Sequence, residues 1–253
     1  YLMQKEEMLL QKRLIELSAL SWQRGYVTFS DFLNLNELNI LHSIPKGELS
    51  GTYALFGGYE YAERQMAAFL PDALCYEYHY PIQILKISPL QKKFAEKLTH
   101  RDYLGALLNL GIERSKTGDI LTLEDRAVVF VHEKIAAFIT ENLTRIRHTS
   151  VMANPVSIES FVYKPSFETI KGTVASVRLD SLLSLAFSSS RTKLSALIEG
   201  GSVFVNGKLV TSNGYHPKEG DIISVRKFGR FIYAKCGETA RKGRCFVELH
   251  KYI

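Results

Sequence analysis

Arg178-Leu179-Asp180-Ser181-Leu182-Leu183 opens an apolar-periodic segment. Ser188-Ser189-Ser190-Arg191-Thr192-Lys193-Leu194-Ser195-Ala196-Leu197-Ile198 follows, and then Val203-Phe204-Val205-Asn206-Gly207-Lys208-Leu209-Val210. The leucine spacing predicts two short helices, the second capped from the serine triplet, because a serine hydroxyl satisfies an orphan N–H of the first turn. Gly200-Gly201 ends the second helix, and Asn206-Gly207 between apolar strands is the signature of a two-residue hairpin. A turn at Lys218-Glu219-Gly220-Asp221 leads into a strand at Ile222-Ile223-Ser224-Val225-Arg226. Two packed helices followed by a small antiparallel sheet are therefore expected.

Charge supports a function for this part. From Lys171 to Ile253 there are 14 Lys+Arg against 6 Asp+Glu, whereas residues 1–170 hold 18 against 20. The basic excess is thus confined to the last third. Such segregation suits a phosphate-binding surface, because neutralising phosphates releases condensed counterions. A solvated basic face kept for solubility is the alternative at this stage.

The ordered set Arg-Leu-Asp, serine-arginine helix start, Ile-x-x-Gly, Val-x-Val-Asn-Gly and Gly-Asp across residues 178–226 resembles the S4 domain family. That resemblance implies an αL-type RNA-binding domain that grips structured RNA with its helical face and the adjoining loop. Carried onto this chain, it makes Arg178, Ser190, Arg191 and Lys193 the expected phosphate contacts, extended by Lys208 on the hairpin and by Arg226, Lys227 and Arg230 beyond it. Arg178 could instead pair with Asp180 or Glu199. The stretches 226–233 and 241–246 read as an extra hairpin with interleaved basic and aromatic residues, which suits backbone tracking with base stacking. Equally, its aromatics could belong to a core.

Upstream, residues 1–73 read as an α-rich region. It has an amphipathic helix to about residue 24, a second helix capped at Ser30-Asp31, a strand at Thr52–Phe56 and a helix from Tyr59 to Leu70. Residues 74–153 then read strand, helix, strand, strand, helix, strand: a βαββαβ order shared by RRM and ferredoxin-like domains. There the first strand is expected at Tyr78–Ile87, with Ser88 capping and Pro89 opening a helix, and a second helical stretch at Asp102–Leu110 capped by Asp102. No RNP1-like run supports base stacking on the sheet. Residues 154–171 form a connector with one short strand, and 172–253 the S4 domain with its β extension. The fold class is α+β. Lys92, Lys93, His100, Arg101, Arg114 and Lys116 are candidates for a second RNA surface, or for an ordinary solvated face.

Gly57-Gly58-Tyr59-Glu60-x-Ala62-Glu63-Arg64, the segment His100 to Arg114, and Gly118-Asp119-Ile120 further resemble the YlmH family of bacterial S4 proteins along nearly the whole chain. This resemblance implies partners in rRNA, tRNA and the large ribosomal subunit, and a role in rescue of stalled peptidyl-tRNA complexes.

Other classes are disfavoured by spacing. Arg178-Leu179-Asp180 is also the catalytic triplet of pseudouridine synthases, but too few residues follow it here for that catalytic domain. His100-Arg101-Asp102 imitates a kinase catalytic loop, yet Asn109 stands seven residues after the Asp and no Gly-rich loop accompanies it. The three cysteines, Cys75, Cys236 and Cys245, have no metal-ligand spacing and fit a reducing compartment. A cytoplasmic, monomeric, non-enzymatic protein without metal, cofactor or membrane span is expected. An RNA-modifying enzyme and a ribosome assembly factor are the rival readings.

Overall fold

The leucine repeat of the first residues folds as α1 (Lys5–Arg24) in a computed structural model that describes residues 5–72, 76–240 and 243–253. Cys75, and Arg241 and Lys242 of the extra hairpin, lie outside the described residues. The chain divides into two compact units, Tyr1–Tyr163 and Lys164–Ile253.

In the first unit α1 is followed by β1 (Thr28–Phe29), α2 (Leu35–Ser43), β2 (Thr52–Phe56) and β3 (Met66–Leu70), with strand order β1-β3-β2. Leu14 and Leu17 of α1 pack with Leu38, Leu41 and Phe69. The expected helix caps need correction. Asn34 caps α2, taking the N–H of Glu37 while the Glu37 carboxylate returns to the Asn34 N–H, a reciprocal box. Ser30 instead accepts the N–H of Ala67 at 2.8 Å, tying the residue after β1 to the central strand β3. The expected helix over 59–70 is replaced at its end by β3. Its alanines favour helix, but Met66, Ala67, Ala68 and Phe69 are buried on both faces between two partner strands, and burial overrides propensity.

The βαββαβ order is present as β4 (Ile82–Pro89), α3 (His100–Asn109), β5 (Thr117–Thr122), β6 (Ala127–His132), α4 (Glu133–Asn142) and β8 (Thr149–Val156). A two-residue strand β7 (Arg145–Ile146) precedes β8, and the sheet order is β5-β6-β4-β8-β7. Ser88 and Pro89 do not start a helix. They end β4, where pairing with β6 has stopped at Ile87 and only β8 remains as partner, so proline's missing N–H breaks no ladder on the β6 side. Thr99, not Asp102, caps α3; Asp102 reaches back to the Thr99 N–H at 2.8 Å.

Both faces of this sheet are covered. On one, Leu85, Ile87, Val129 and Val131 meet Tyr103 and Leu107 of α3 and Ala136 and Ile139 of α4. On the other, Ile82, Ile84, Val128 and Phe130 meet Phe32, Tyr59 and Met66. Tyr59 stacks on Phe130 with ring centroids 4.7 Å apart, and Phe161 closes edge-on at 5.5 Å. The face on which an RRM stacks bases is thus hydrophobic core here.

The second unit contains β9 (Phe167–Val174), α5 (Leu179–Phe187), α6 (Arg191–Glu199), β10 (Val203–Val205), β11 (Lys208–Leu209), β12 (Ile222–Val225), β13 (Gly229–Ala240) and β14 (Arg244–Tyr252). Its six-stranded sheet runs β11-β10-β12-β13-β14-β9. Asn206 (φ 49°) and Gly207 (φ 78°) both turn left-handed, as the hairpin signature requires. The strand expected in the connector is eight residues long and pairs throughout with β14. Leu179, Leu182 and Leu183 of α5 and Leu194 and Ile198 of α6 complete the core against Val203, Val225, Phe231 and Val247.

Candidate nucleic-acid interface

Helix α6 begins against its own dipole. Ser190 caps it, accepting the Lys193 N–H at 3.3 Å, yet the first turn carries Arg191 and Lys193 and no acid. The other α-helices carry acids there: Glu6 and Glu7, Glu37, Asp102, Glu133 and Asp180. Cations beside unsatisfied N–H groups cost the helix about 0.3–1 kcal/mol each. The same geometry is what a phosphate needs. Both side chains are exposed.

Around that helix start the fold builds an aromatic floor. Lys193 Nζ lies 5.4 Å from the ring centre of Phe228, in the turn between β12 and β13. Phe228 packs edge-on against Phe187, the last residue of α5, at 5.8 Å. Lys251 of β14 covers Phe187 at 5.3 Å. Lys227, exposed in that same turn, adopts φ 66°. Along β13, Arg230 stacks on Tyr252 at 4.1 Å. Arg226 lies 5.4 Å from Phe204. Lys193 and Lys251 therefore lie over the Phe228–Phe187 pair, with Lys227 in the adjoining turn, whereas Arg226 lies over Phe204. Sequence reasoning missed Lys251, which is placed by its pairing with Phe231 across β13 and β14.

Arg178 and Lys208 stand apart from this group. Arg178 caps α5 and holds Asp180 with two contacts, 3.2 and 3.3 Å, so the ion-pair alternative is realised. The Asp180 carboxylate also accepts the Ser181 N–H at 2.9 Å. Lys208 sits on the edge strand β11, opposite Val205. The extra hairpin divides its aromatics: Phe231 and Tyr233 are buried in the core, whereas Phe246 is 38% exposed.

The six candidates for a second surface differ in what engages them. Lys92 pairs with Asp125, and Lys116 with Asp31 at 2.6 Å. Arg114 donates to the carbonyls of Thr117 (2.7 Å) and Gly118 (3.1 Å), and burial, with the nearby Arg64 charge, pushes its pKa down to about 10. Burial likewise depresses His100, again helped by a neighbouring guanidinium, Arg114, so its charged form is disfavoured. Lys93 is exposed, as is Arg101 at the start of α3.

The two glycine-containing motifs meet each other. Asp119 accepts the Tyr59 hydroxyl (2.8 Å), the Glu63 N–H (2.8 Å) and the Arg64 N–H (3.0 Å). Arg64 in turn donates through Nε to the Thr117 carbonyl at 2.9 Å and through Nη2 to that of Arg114 at 3.1 Å. These residues clamp residues 57–64 onto β5 and hold Tyr59 over Phe130. Their job is architectural.

Among the described residues, the buried polar side chains are serines, threonines and tyrosines. No group of three or more His, Cys, Asp or Glu among them could hold a metal, and no helix is long and apolar enough to cross a membrane.

A βαββαβ module and a helix-pair-plus-sheet module with a cationic helix start define an S4-type RNA-binding protein. The S4 domain model matches residues 177–223, and the model described as "Putative RNA-binding domain in YlmH" matches residues 76–160. A Bacillus subtilis (strain 168) protein named "Ribosome-associated protein quality control protein P2" is 30% identical over 243 residues, covering 92% of each chain. The chain belongs to the YlmH family of S4-domain proteins. A solved structure titled "Cell division protein ylmH from Streptococcus pneumoniae" is 23% identical, with a TM-score of 0.49, over 64% of this chain and 98% of that one.

Proposed function

We propose that this protein binds rRNA and tRNA on the large ribosomal subunit without catalysing a reaction, and serves in quality control of stalled peptidyl-tRNA complexes. The observation that carries the RNA contact is the α6 start, where Arg191 and Lys193 occupy a turn that helix electrostatics would reserve for acids. Lys193, Phe228 and Phe187 supply charge and a hydrophobic floor together, a combination suited to a phosphate with its neighbouring base. The ribosomal setting is supported by the name of the Bacillus subtilis relative. In this reading the protein is cytoplasmic and monomeric, uses no cofactor, and carries its principal RNA surface in residues 172–253. Residues 74–153 form a second RNA-contacting module, residues 154–171 connect the two, and residues 1–73 brace the second module.

The test is crosslinking to RNA in cells with sequencing, beside an Arg178→Ala/Arg191→Ala/Lys193→Ala variant. Crosslinks to large-subunit rRNA and tRNA that vanish in the variant are expected. Crosslinks only to precursor rRNA would make it an assembly factor. A single site modified only when the protein is present would make it an enzyme.

A further inference from the structure

The geometry points to a second RNA site in the first unit: a cleft between the start of α3 and the β7–β8 turn that takes the phosphodiester backbone of a looped or single-stranded RNA. This deepens the RNA-binding reading above and rests on it.

With the open face of the βαββαβ sheet occupied by Tyr59, Phe32 and Met66, the module has no sheet surface left for bases. Its positive charge lies elsewhere. A cleft of about 470 Å³ is lined by Arg101 and Asn109 of α3, Asn142 at the end of α4, and Arg145 and Arg147 of the β7–β8 hairpin. All three arginines are exposed. The acid in the lining, Asp102, accepts the Thr99 N–H and hydroxyl through Oδ2 at 2.8 and 2.7 Å, while its Oδ1 pairs with Arg147 at 3.6 Å, which leaves the cleft with three guanidinium groups against one carboxylate. Arg145 Nε donates to the Arg147 carbonyl at 3.0 Å, which ties the Arg145 side chain to the backbone of the same short turn.

Arg147 itself is strained. It sits at φ 52° in the turn, a conformation that glycine or asparagine adopts at less cost than a long side chain. An arginine kept where folding prefers glycine fits a requirement from outside the fold. Three guanidinium groups around a polar cleft match phosphate oxygens, which they bind in forked pairs. The amide of Asn109 and the oxygen of Asn142, whose nitrogen donates to the Phe138 carbonyl at 2.8 Å, offer hydrogen bonds to a base edge.

The experiment measures binding of the full chain to a fluorescein-labelled RNA stem-loop and to oligo-uridylate across a salt series. Compared are the wild type, Arg101→Gln/Arg145→Gln/Arg147→Gln, the corresponding triple lysine variant, Arg147→Gly and Arg191→Ala/Lys193→Ala. The glutamine variant is expected to flatten the log–log salt slope by about 2, from three lost contacts at roughly 0.7 each, while the lysine variant keeps the wild-type slope. Arg147→Gly should weaken binding while unfolding at the same or a higher midpoint, a split that a purely structural arginine would not give. A wild-type slope in the glutamine variant, with flattening confined to Arg191→Ala/Lys193→Ala, would overturn the cleft and leave the S4 surface standing. Joint loss of stability and binding in Arg147→Gly would also overturn it. Displacement of the RNA from the cleft by poly-glutamate at matched charge would reassign it to an acidic protein. Absence of salt-dependent binding by the wild type to either RNA would instead defeat the RNA-binding reading as a whole.

Discussion

Replacing Asp119 with alanine removes the acceptor that holds three donors: the Tyr59 hydroxyl and the backbone N–H groups of Glu63 and Arg64, at 2.8, 2.8 and 3.0 Å. Hydrogen bonds to a charged group are worth about 1.5–3 kcal/mol each. Asp119 is only partly buried, so the lower figure applies, and three such bonds give about 4.5 kcal/mol. For a unit of this size a urea m-value of about 2.5 kcal/mol/M is reasonable, so the midpoint should fall by about 1.8 M. The chain has one tryptophan, Trp22, and it lies in α1 of the first unit, so its fluorescence reports that unit. RNA binding through the α6 surface should survive at low denaturant, because Asp119 and α6 belong to different units. Asp119→Asn should fall between, since the oxygen facing Tyr59 and Glu63 is retained while an amide meets the Arg64 N–H. A midpoint shift below about 0.5 M for the alanine variant would refute the idea that this cluster fastens residues 57–64 to the sheet, because it corresponds to less than one such bond.

Gly58→Ala should destabilise the first unit by about 2–5 kcal/mol in the same urea assay, because Gly58 holds φ 98° and an added Cβ would lie 2.4 Å from the Phe130 ring. Arg191→Glu should raise the thermal midpoint of the second unit slightly, by about 0.5 kcal/mol of helix-dipole energy, while weakening RNA binding in a filter assay; a gain in both would separate α6 from the RNA. Acidification from pH 7.5 to 5.5 should lower the urea midpoint of the first unit. Burial depresses His132 and His100 below the ordinary 6.5, so the unfolded chain takes up protons first and stability is lost as pH falls through that value. His132→Asn, which can keep the cap now made by Nδ1 accepting the Lys134 N–H, should reduce that dependence.

The C-terminal unit was the most legible part of the chain because its signals are local. Serine caps, the Asn206-Gly207 turn and the leucine spacing act within a few residues, and all appear where the pattern sets them. The strand β3 was hidden because Ala67 and Ala68 favour helix when considered alone; only pairing with two strands distant in sequence makes them β. The same non-locality hid the covered sheet face. Nothing near Phe130 announces that Tyr59, some seventy positions earlier, stacks on it. At the candidate site, Arg191, Lys193 and Lys227 could be named from the motif and its charge, but the aromatic floor beneath Lys193 depends on how α5 and the β12–β13 turn meet. For Arg178 the sequence itself offered Asp180 as a partner, and that ion pair forms; Arg114 and Lys116 show the opposite case. The charge of these two was visible in sequence, whereas the carbonyls that Arg114 meets and the carboxylate that Lys116 meets were not.

The most direct test of the central claim is equilibrium binding of the full chain to purified large and small ribosomal subunits over a salt series, with Arg191→Ala/Lys193→Ala alongside. The account predicts preference for the large subunit and a log–log salt slope shallower by roughly 1.4–1.8 in the variant, two phosphate contacts' worth. Equal affinity for both subunits, or an unchanged slope in the variant, would contradict it.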